Sequence, residues 1–468
     1  MLKFSIPEDP NLNHIPNTIQ KLKDSEIKIS ELVKQIKIND LNTNQFCFII
    51  GLAAFEGNEF DIYFNLVKKF VLSKKRNDLD LLVIENNLHS VFLKKYETDY
   101  AYNKFYNFFS RVHNPKSKKT NLPKNEENFK NNIIFFIHEP ILLAHIIPLF
   151  KMLKFRKTNY INVSIASLNY NEKFHIKCKS VKVNYLVLNG RNLHEKFLEL
   201  KNIAFKFEHL IWVSVPIGLS FVRMYNNKIT YWSQKFNPDI TNLKNYIGTF
   251  NEDKKFVFKN KNKWKNFRND FEIKNLGSQK EAWSIRKNNF GTFCREELIN
   301  QKDFWEIIKI ILLSNRSYMY FYCGHNPIHK YWCSELSIPI DQVKFLGWLE
   351  KPHLKLKEMA FLIDGLNLGH GYLAIEAMAA EVPIIFSEKK KSYSNVENYL
   401  IRTQGTFNKE NDKNYLNRYS LIYSKENILK IVNRLISKED YNQFYGSHYK
   451  KVVENHPNES FEDFLRLL

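Results

Sequence analysis

Glu376 stands among Tyr372, Leu373, Ala374, Ile375, Ala377, Met378, Ala379 and Ala380. A carboxylate is rarely set among apolar side chains without a partner. The helical neighbours three and four residues away, Leu373, Ala379, Tyr372 and Ala380, offer no cation. A pair of ligand hydroxyls would satisfy both oxygens. Just upstream, Asn367, Gly369, His370 and Gly371 make a glycine-rich turn into the same helix. Glycine lets backbone approach a phosphate, and a helix N-terminus supplies free N–H groups and partial positive charge. Arg295 would add a two-pronged contact to a diphosphate, with Lys302 following it. His325 supplies a further polar group. Glu376 lies about one turn into the helix, where a ribose would fall if a diphosphate capped it. Each residue also has a plainer reading. The glycines would only shape a turn, His370 would face solvent, and Arg295 would pair with Glu296 or Glu297 as surface carboxylates.

These residues follow strand-like runs. Asn289–Phe293 precedes Arg295, Tyr318–Tyr322 precedes His325, and Phe361–Asp364 precedes the glycine turn. Val343–Leu346 reads as another strand, and the apolar spacing of Phe304, Ile307, Ile308, Ile311 and Leu312 predicts a helix with Asp303 as its N-cap. Upstream, Asn132–Ile137, Tyr160–Leu168, Val181–Leu188, Leu210–Val215 and Lys228–Trp232 read as strands. Between them lie a Pro-initiated helix over HEPILLAHIIPLFKML and a helix over His194–Lys201. Alternating strands and helices predict parallel sheets covered on both faces. Ligands then collect beyond the C-terminal strand ends. His138 follows the first of these strands, so His138 and Glu139 are candidates for a general base. A helix-start role for His138-Glu139-Pro140 is the competing reading.

The first part of the chain reads as helical, with amphipathic spacing over Leu22–Ile38, Asp61–Leu72 and Thr98–Phe109. Asp78-Leu79-Asp80 has the form of a metal-binding DxD, but no strand pattern flanks it and a solvated turn is expected. Arg111–Asn132 is nearly devoid of large apolar residues and marks a linker. Asn251–Gly277 mixes lysines with Phe and Trp. That pattern suits single-stranded nucleic acid, but a linker or edge hairpin is the expectation. Ser460 and Asp463 predict a capping box before Phe464.

The 468 residues exceed one ordinary core. The +21 formal charge is spread along the chain, so it predicts a basic surface and no specific nucleic-acid partner. Five cysteines with no zinc-type spacing predict reduced thiols and a cytoplasmic protein. The first residues lack the apolar core of a signal peptide, and no apolar run approaches the ~20 residues of a membrane span.

HGYLAIEAMAAEVPII resembles the nucleotide-sugar signature of GT-B glycosyltransferases, in which a Gly lies five residues before the Glu of an E-A-M-A-x-x-x-P run. Gly371, Glu376, Ala377, Met378, Ala379 and Pro383 match, and Glu381 stands where Gly is usual. The segment from His209 to Ile240 is similar to O-GlcNAc transferase and to the bacterial N-glycosyltransferases that modify adhesins. Where that group tends to place a His near a Pro, this chain has Asn237-Pro238, so no such His is carried over.

The resemblance implies an α/β fold of GT-B type: two Rossmann-like halves facing across a cleft, with a helical N-terminal extension. The expected regions are a helical 1–125, an acceptor-side 130–280, a nucleotide-sugar-binding 285–440 and a helical tail 441–468. It implies transfer of a hexose or N-acetylhexosamine from a UDP-sugar, with no metal and no cofactor beyond that donor substrate. The acceptor is expected to be a protein or a glycan. Two rivals stand: a lipopolysaccharide- or capsule-type transferase with a sugar or lipid acceptor, and a non-catalytic basic scaffold or nucleic-acid binder. The first would favour a basic, aromatic patch in peripheral contact with a membrane.

Overall fold

Apolar residues at helical spacing and polar caps make the N-terminal region helical. The coordinates are a computed structural model. They describe the chain apart from residues 1–5, 26–27, 30, 32, 34–35, 38–39, 57–58, 75, 94–95, 97–98, 114–130, 142–145, 159, 223–228, 234–242, 249–263, 268–282, 295, 297–298, 350–351, 366–375, 378–379, 381, 389–421 and 438–459. Helices span Ile15–Asp24, Thr43–Glu56, Phe60–Ser73, Asp78–Leu88 and Asp99–Val112. The first ends at Asp24, so most of the Leu22–Ile38 spacing lies beyond it, where Ile29, Glu31 and Val33 are helical and several residues fall outside the described ones. Thr43–Glu56 is apolar on all sides and accordingly buried, with Phe46, Ile50 and Ala53 enclosed. Asp78-Leu79-Asp80 is not a turn. It opens a helix whose N-cap, Asn77, accepts from the Asp80 N–H at 2.8 Å. Both aspartates sit in the first turn, where the positive end of the helix favours them. Among the described residues no group of His, Cys, Asp and Glu could hold a metal ion.

The chain divides into two compact units, Met1–Asp270 with Glu459–Leu468, and Phe271–Asn458. The first contains a seven-stranded sheet: β1 Asn132–Ile137, β2 Asn162–Ser167, β3 Asn184–Val187, β4 His209–Val213, β5 Ile229–Trp232, β6 Asn245–Gly248 and β7 Trp264–Asn266, in the order β3-β2-β1-β4-β5-β6-β7. Every pairing is parallel. β7 corrects the reading of 251–277 as linker or edge hairpin, since Trp264–Asn266 pairs parallel with β6. The rest of that stretch lies largely outside the described residues. The Pro-initiated helix also differs. Its described turns run Ile147–Lys154, with the later Pro148 rather than Pro140 in the first turn.

Period-two alternation decides what each face of the sheet meets. Ile134 and Phe136 of β1 join a core with the N-terminal helices, while Ile133, Phe135 and Ile137 join one with the helices Ile147–Lys154 and Glu172–Ser180. The chain's last helix, Phe461–Arg466, covers the second face. The capping box of Ser460 and Asp463 starts it, and Phe464 packs 4.9 Å from Trp232 and 5.8 Å from Phe135. Glu462 anchors it, accepting from the N–H groups of Lys157 at 2.8 Å and Thr158 at 3.0 Å, and from the Thr158 hydroxyl at 2.6 Å.

The second unit holds a six-stranded sheet: β8 Asn289–Thr292, β9 Met319–Tyr322, β10 Val343–Phe345, β11 Phe361–Ile363, β12 Ile384–Ser387 and β13 Ile422–Tyr423, ordered β10-β9-β8-β11-β12-β13 and parallel throughout. The helices Lys302–Ser314, His329–Leu336 and Ile428–Ile436 cover it. The cap of the first is Gln301, so Asp303 serves in the first turn rather than as N-cap. No helix among the described residues is long and apolar enough to cross a membrane.

The hydrogen bonds from Thr158 and Lys157 outweigh the burial that would raise the Glu462 pKa, and they lower it to about 2. A depressed carboxylate stabilises the fold above its unfolded value and loses that contribution as pH falls through the folded one. Glu462→Gln should therefore cost about 1–2 kcal/mol at neutral pH. Urea unfolding should show the gap to wild type closing between the ordinary glutamate range and pH 2.

Candidate functional site

In the second unit β8 and β11 are neighbours, and the chain runs outward from them in opposite directions. Such a switch point leaves a crevice beyond the C-terminal strand ends, where the loops part. The register sets Thr292 beside Tyr322 and Gly291 beside Leu362, so the segments after β8, β9 and β11 emerge together. The buried Thr292 hydroxyl donates to the Ile363 carbonyl at 2.8 Å, fixing β8 to β11 at this edge. Asp364, fully enclosed, comes next after β11.

The loops after β8 and β9 are held by one carboxylate. Glu296 Oε2 accepts from the His325 N–H at 2.8 Å, and Oε1 accepts from the Asn326 N–H at 3.0 Å and its side-chain amide at 2.7 Å. Glu296 is therefore buried and occupied, not the surface carboxylate that the sequence suggested as a partner for Arg295. Burial alone would raise its pKa, but the hydrogen bonds from His325 and Asn326 leave it below the usual value. Gly324 makes the approach possible. At φ +155° its missing Cβ would lie 2.5 Å from Glu296 Oε2.

The same tie aims a ring. His325 stacks on Trp348 with centroids 4.5 Å apart and planes 6° from parallel. Trp348 follows β10 through Gly347, whose φ is +70° and whose carbonyl accepts from the Gly324 N–H at 3.2 Å. Its indole is 57% exposed although it is held by the stack. Sequence reasoning found His325 but missed Trp348 and Glu296. The signal for Trp348 was present: a glycine and a large aromatic directly after the VKFL strand.

Of the other expected residues, Lys302 is exposed in the first turn of its helix. Glu376 is half-buried in a helical turn whose Ala377 and Ala380 enter the core. Water thus reaches part of Glu376, and its demand for a partner is milder than its neighbours in sequence imply. Arg295, Asn367, Gly369, His370 and Gly371 lie outside the described residues. In the first unit, His138 is buried directly after β1. β1 adjoins β4 at that sheet's own switch point. Beyond β4 the backbone turns through Ser214 at φ +67° and Gly218 at φ +76°. Glu139 is exposed, and its carbonyl accepts from the Ile141 N–H at 2.8 Å in a tight turn.

No protein-family model matches the sequence, and no curated protein does. Solved structures do match in fold. HepE of Anabaena in complex with UDP-glucose superposes with a TM-score of 0.51 at 11% identity, covering 70% of this chain and 95% of its own. An O-GlcNAc transferase mutant from Thermobaculum terrenum gives 0.51 at 11% identity, over 99% of this chain and 97% of that one. The lipopolysaccharide outer core galactosyltransferase WaaB gives 0.51 at 15% identity, over 72% and 98%. The chain has the GT-B fold. Within GT-B proteins, the two Rossmann-like sheets found here are the expected α/β halves, and the helical N-terminal extension is an addition to them.

The Glu296 tie is open to a direct test. Glu296→Ala leaves the His325 and Asn326 donors unpaired at a crowded turn and should cost about 2–3 kcal/mol in urea unfolding. Because the folded pKa is depressed, the wild-type contribution is present above the ordinary carboxylate range and is lost as pH falls through the lowered value. An unchanged unfolding midpoint would show that the tie carries no stability.

Proposed function

We propose that the protein is a glycosyltransferase that moves a hexose or N-acetylhexosamine from a UDP-sugar to an acceptor hydroxyl or amide, the acceptor being a protein. The observation that carries this reading is the edge beyond β8, β9 and β10. There a buried carboxylate and two glycines fix an exposed His–Trp stack, in a fold whose solved neighbours include a UDP-glucose complex. A flat, preorganised aromatic surface beside a switch point suits a nucleobase.

In this reading uracil lies against the edge that carries His325 and Trp348. Arg295, Lys302 and the glycine-rich segment of Asn367, Gly369 and Gly371 offset the charge gathering on the leaving diphosphate. His370 touches phosphate or donor sugar, and Glu376 holds the ribose hydroxyls. His138 takes the proton from the acceptor, with Glu139 beside it. The acceptor oxygen or nitrogen then bonds to the anomeric carbon as the bond to UDP breaks. No metal is assigned a part.

A protein acceptor is favoured over a glycan or lipid because the likeness to the O-GlcNAc transferase runs over 99% of the chain, the N-terminal helices included. WaaB supports the second reading, a lipopolysaccharide-type transferase, over 72%. Mass spectrometry of proteins co-expressed with the chain should reveal an added hexose or N-acetylhexosamine that disappears with His138→Asn. Glu376→Ala should weaken UDP binding in calorimetry by about tenfold, the loss of one well-placed carboxylate, while the melting temperature stays put. Wild-type UDP affinity in that variant would remove Glu376 from the site.

A further inference from the structure

In the first unit Ile137 of β1 lies beside Val213 of β4, so the next residues, His138 and Ser214, leave the sheet side by side. Ser214 turns through φ +67°, a position that strains any residue but glycine or asparagine. Such strain persists only where the neighbours over-determine it. Here the Ser214 N–H donates to the Trp232 carbonyl at 2.9 Å, and the Ser214 carbonyl accepts the Tyr231 hydroxyl at 2.5 Å. One residue on, the Trp212 indole donates to the Val215 carbonyl at 2.8 Å. We propose that Tyr231 and the buried Glu85–His113 pair are positioning residues for His138, acting through the segment Ser214–Val222. The proposal rests on the reading of His138 as the base.

The segment is held at both ends. At its start the Tyr231 phenol is buried, with the Ser233 hydroxyl bonded to it and the Tyr246 ring packed edge-on at 5.1 Å. At its end the short helix Leu219–Val222 has every residue buried. Phe221 of that helix meets two imidazoles, His113 at 6.1 Å and His194 at 5.4 Å between ring centroids. His113 closes the helix Asp99–Val112, its N–H donating to the Phe109 carbonyl at 2.9 Å. Its Nε2 lies 3.2 Å from Glu85 Oε2, and both side chains are wholly enclosed. Glu85 therefore aims the ring that Phe221 meets.

Stability alone does not account for this pair. Glu85 Oε1 and His113 Nδ1 have no hydrogen-bond partner among the described residues. A half-satisfied buried pair stabilises a fold no better than apolar side chains of similar volume. What it adds is direction, because an imidazole held by a carboxylate keeps one orientation. Tyr106 stands in the same seam, hydrogen-bonded to His89 at 2.6 Å. Burial first, then Glu85 and Tyr231 nearby, push its phenol well above the usual range. Both anchors thus belong to one polar seam between the N-terminal helices and the sheet.

Tyr231→Phe removes the hydroxyl and leaves the ring. Hydrogen exchange of the full chain should show the amides of 137–139 and 214–222 opening about tenfold faster, with the rest of the sheet and the melting temperature unchanged. Glu85→Leu with His113→Leu should fold as stably as wild type and speed exchange over the same two segments. Turnover is read as UDP released from UDP-glucose or UDP-N-acetylglucosamine, with water as the acceptor. Both variants should lower kcat roughly tenfold while KM for the donor stays within about twofold, because a displaced base slows only the chemical step. Added to His138→Asn, neither change should lower kcat further. Unchanged exchange in both segments, a KM that rises as kcat falls, or a full further loss on His138→Asn would overturn the proposal. Absence of UDP release by wild type would count against the transferase reading alone, and exchange would still decide the positioning.

Discussion

A parallel strand cannot hand the chain directly to its neighbour, because the next strand must start at the far end. Among the described residues both sheets pair in parallel, and the rest of the architecture follows from that constraint. Crossovers cover both faces, so the strands are apolar runs such as Asn132–Ile137 with five buried residues in succession. Chemistry gathers at the C-terminal ends, where loops feed helix starts. The helix ends and strand starts are left together at the other edge.

Loops at a strand edge are not rigid by default. In the second unit the Thr292 hydroxyl fixes β8 to β11, and Glu296 clamps the turn after β9. A buried carboxylate with three donors is an expensive element unless fully satisfied. Here three donors offset the cost, and the tie holds His325 against Trp348. Such preorganisation lets binding energy go to the ligand rather than to ordering the loop.

Strands and crossover helices were legible because their apolar runs and periodicities are local. The capping box of Ser460 and Asp463 was legible for the same reason. Asp78 and Asp80 were expected in a solvated turn because no strand pattern flanks them, and they open a helix instead. β7 was hidden because three residues in a lysine-rich stretch carry no alternation of their own, and only pairing with β6 makes them a strand. Glu296 was read as a surface acid because its partners, His325 and Asn326, lie about thirty residues away in sequence. Pattern finds what periodicity encodes. Long-range hydrogen bonds to backbone leave no such trace.

The central claim is that the fold holds a sugar nucleotide built on uridine diphosphate. Thermal melts of the wild-type chain with UDP-, GDP- and CMP-sugars at physiological salt test it most directly. UDP-sugars should raise the melting temperature well above the others. No rise with any nucleotide sugar, alongside salt-sensitive binding to oligonucleotides, would contradict it.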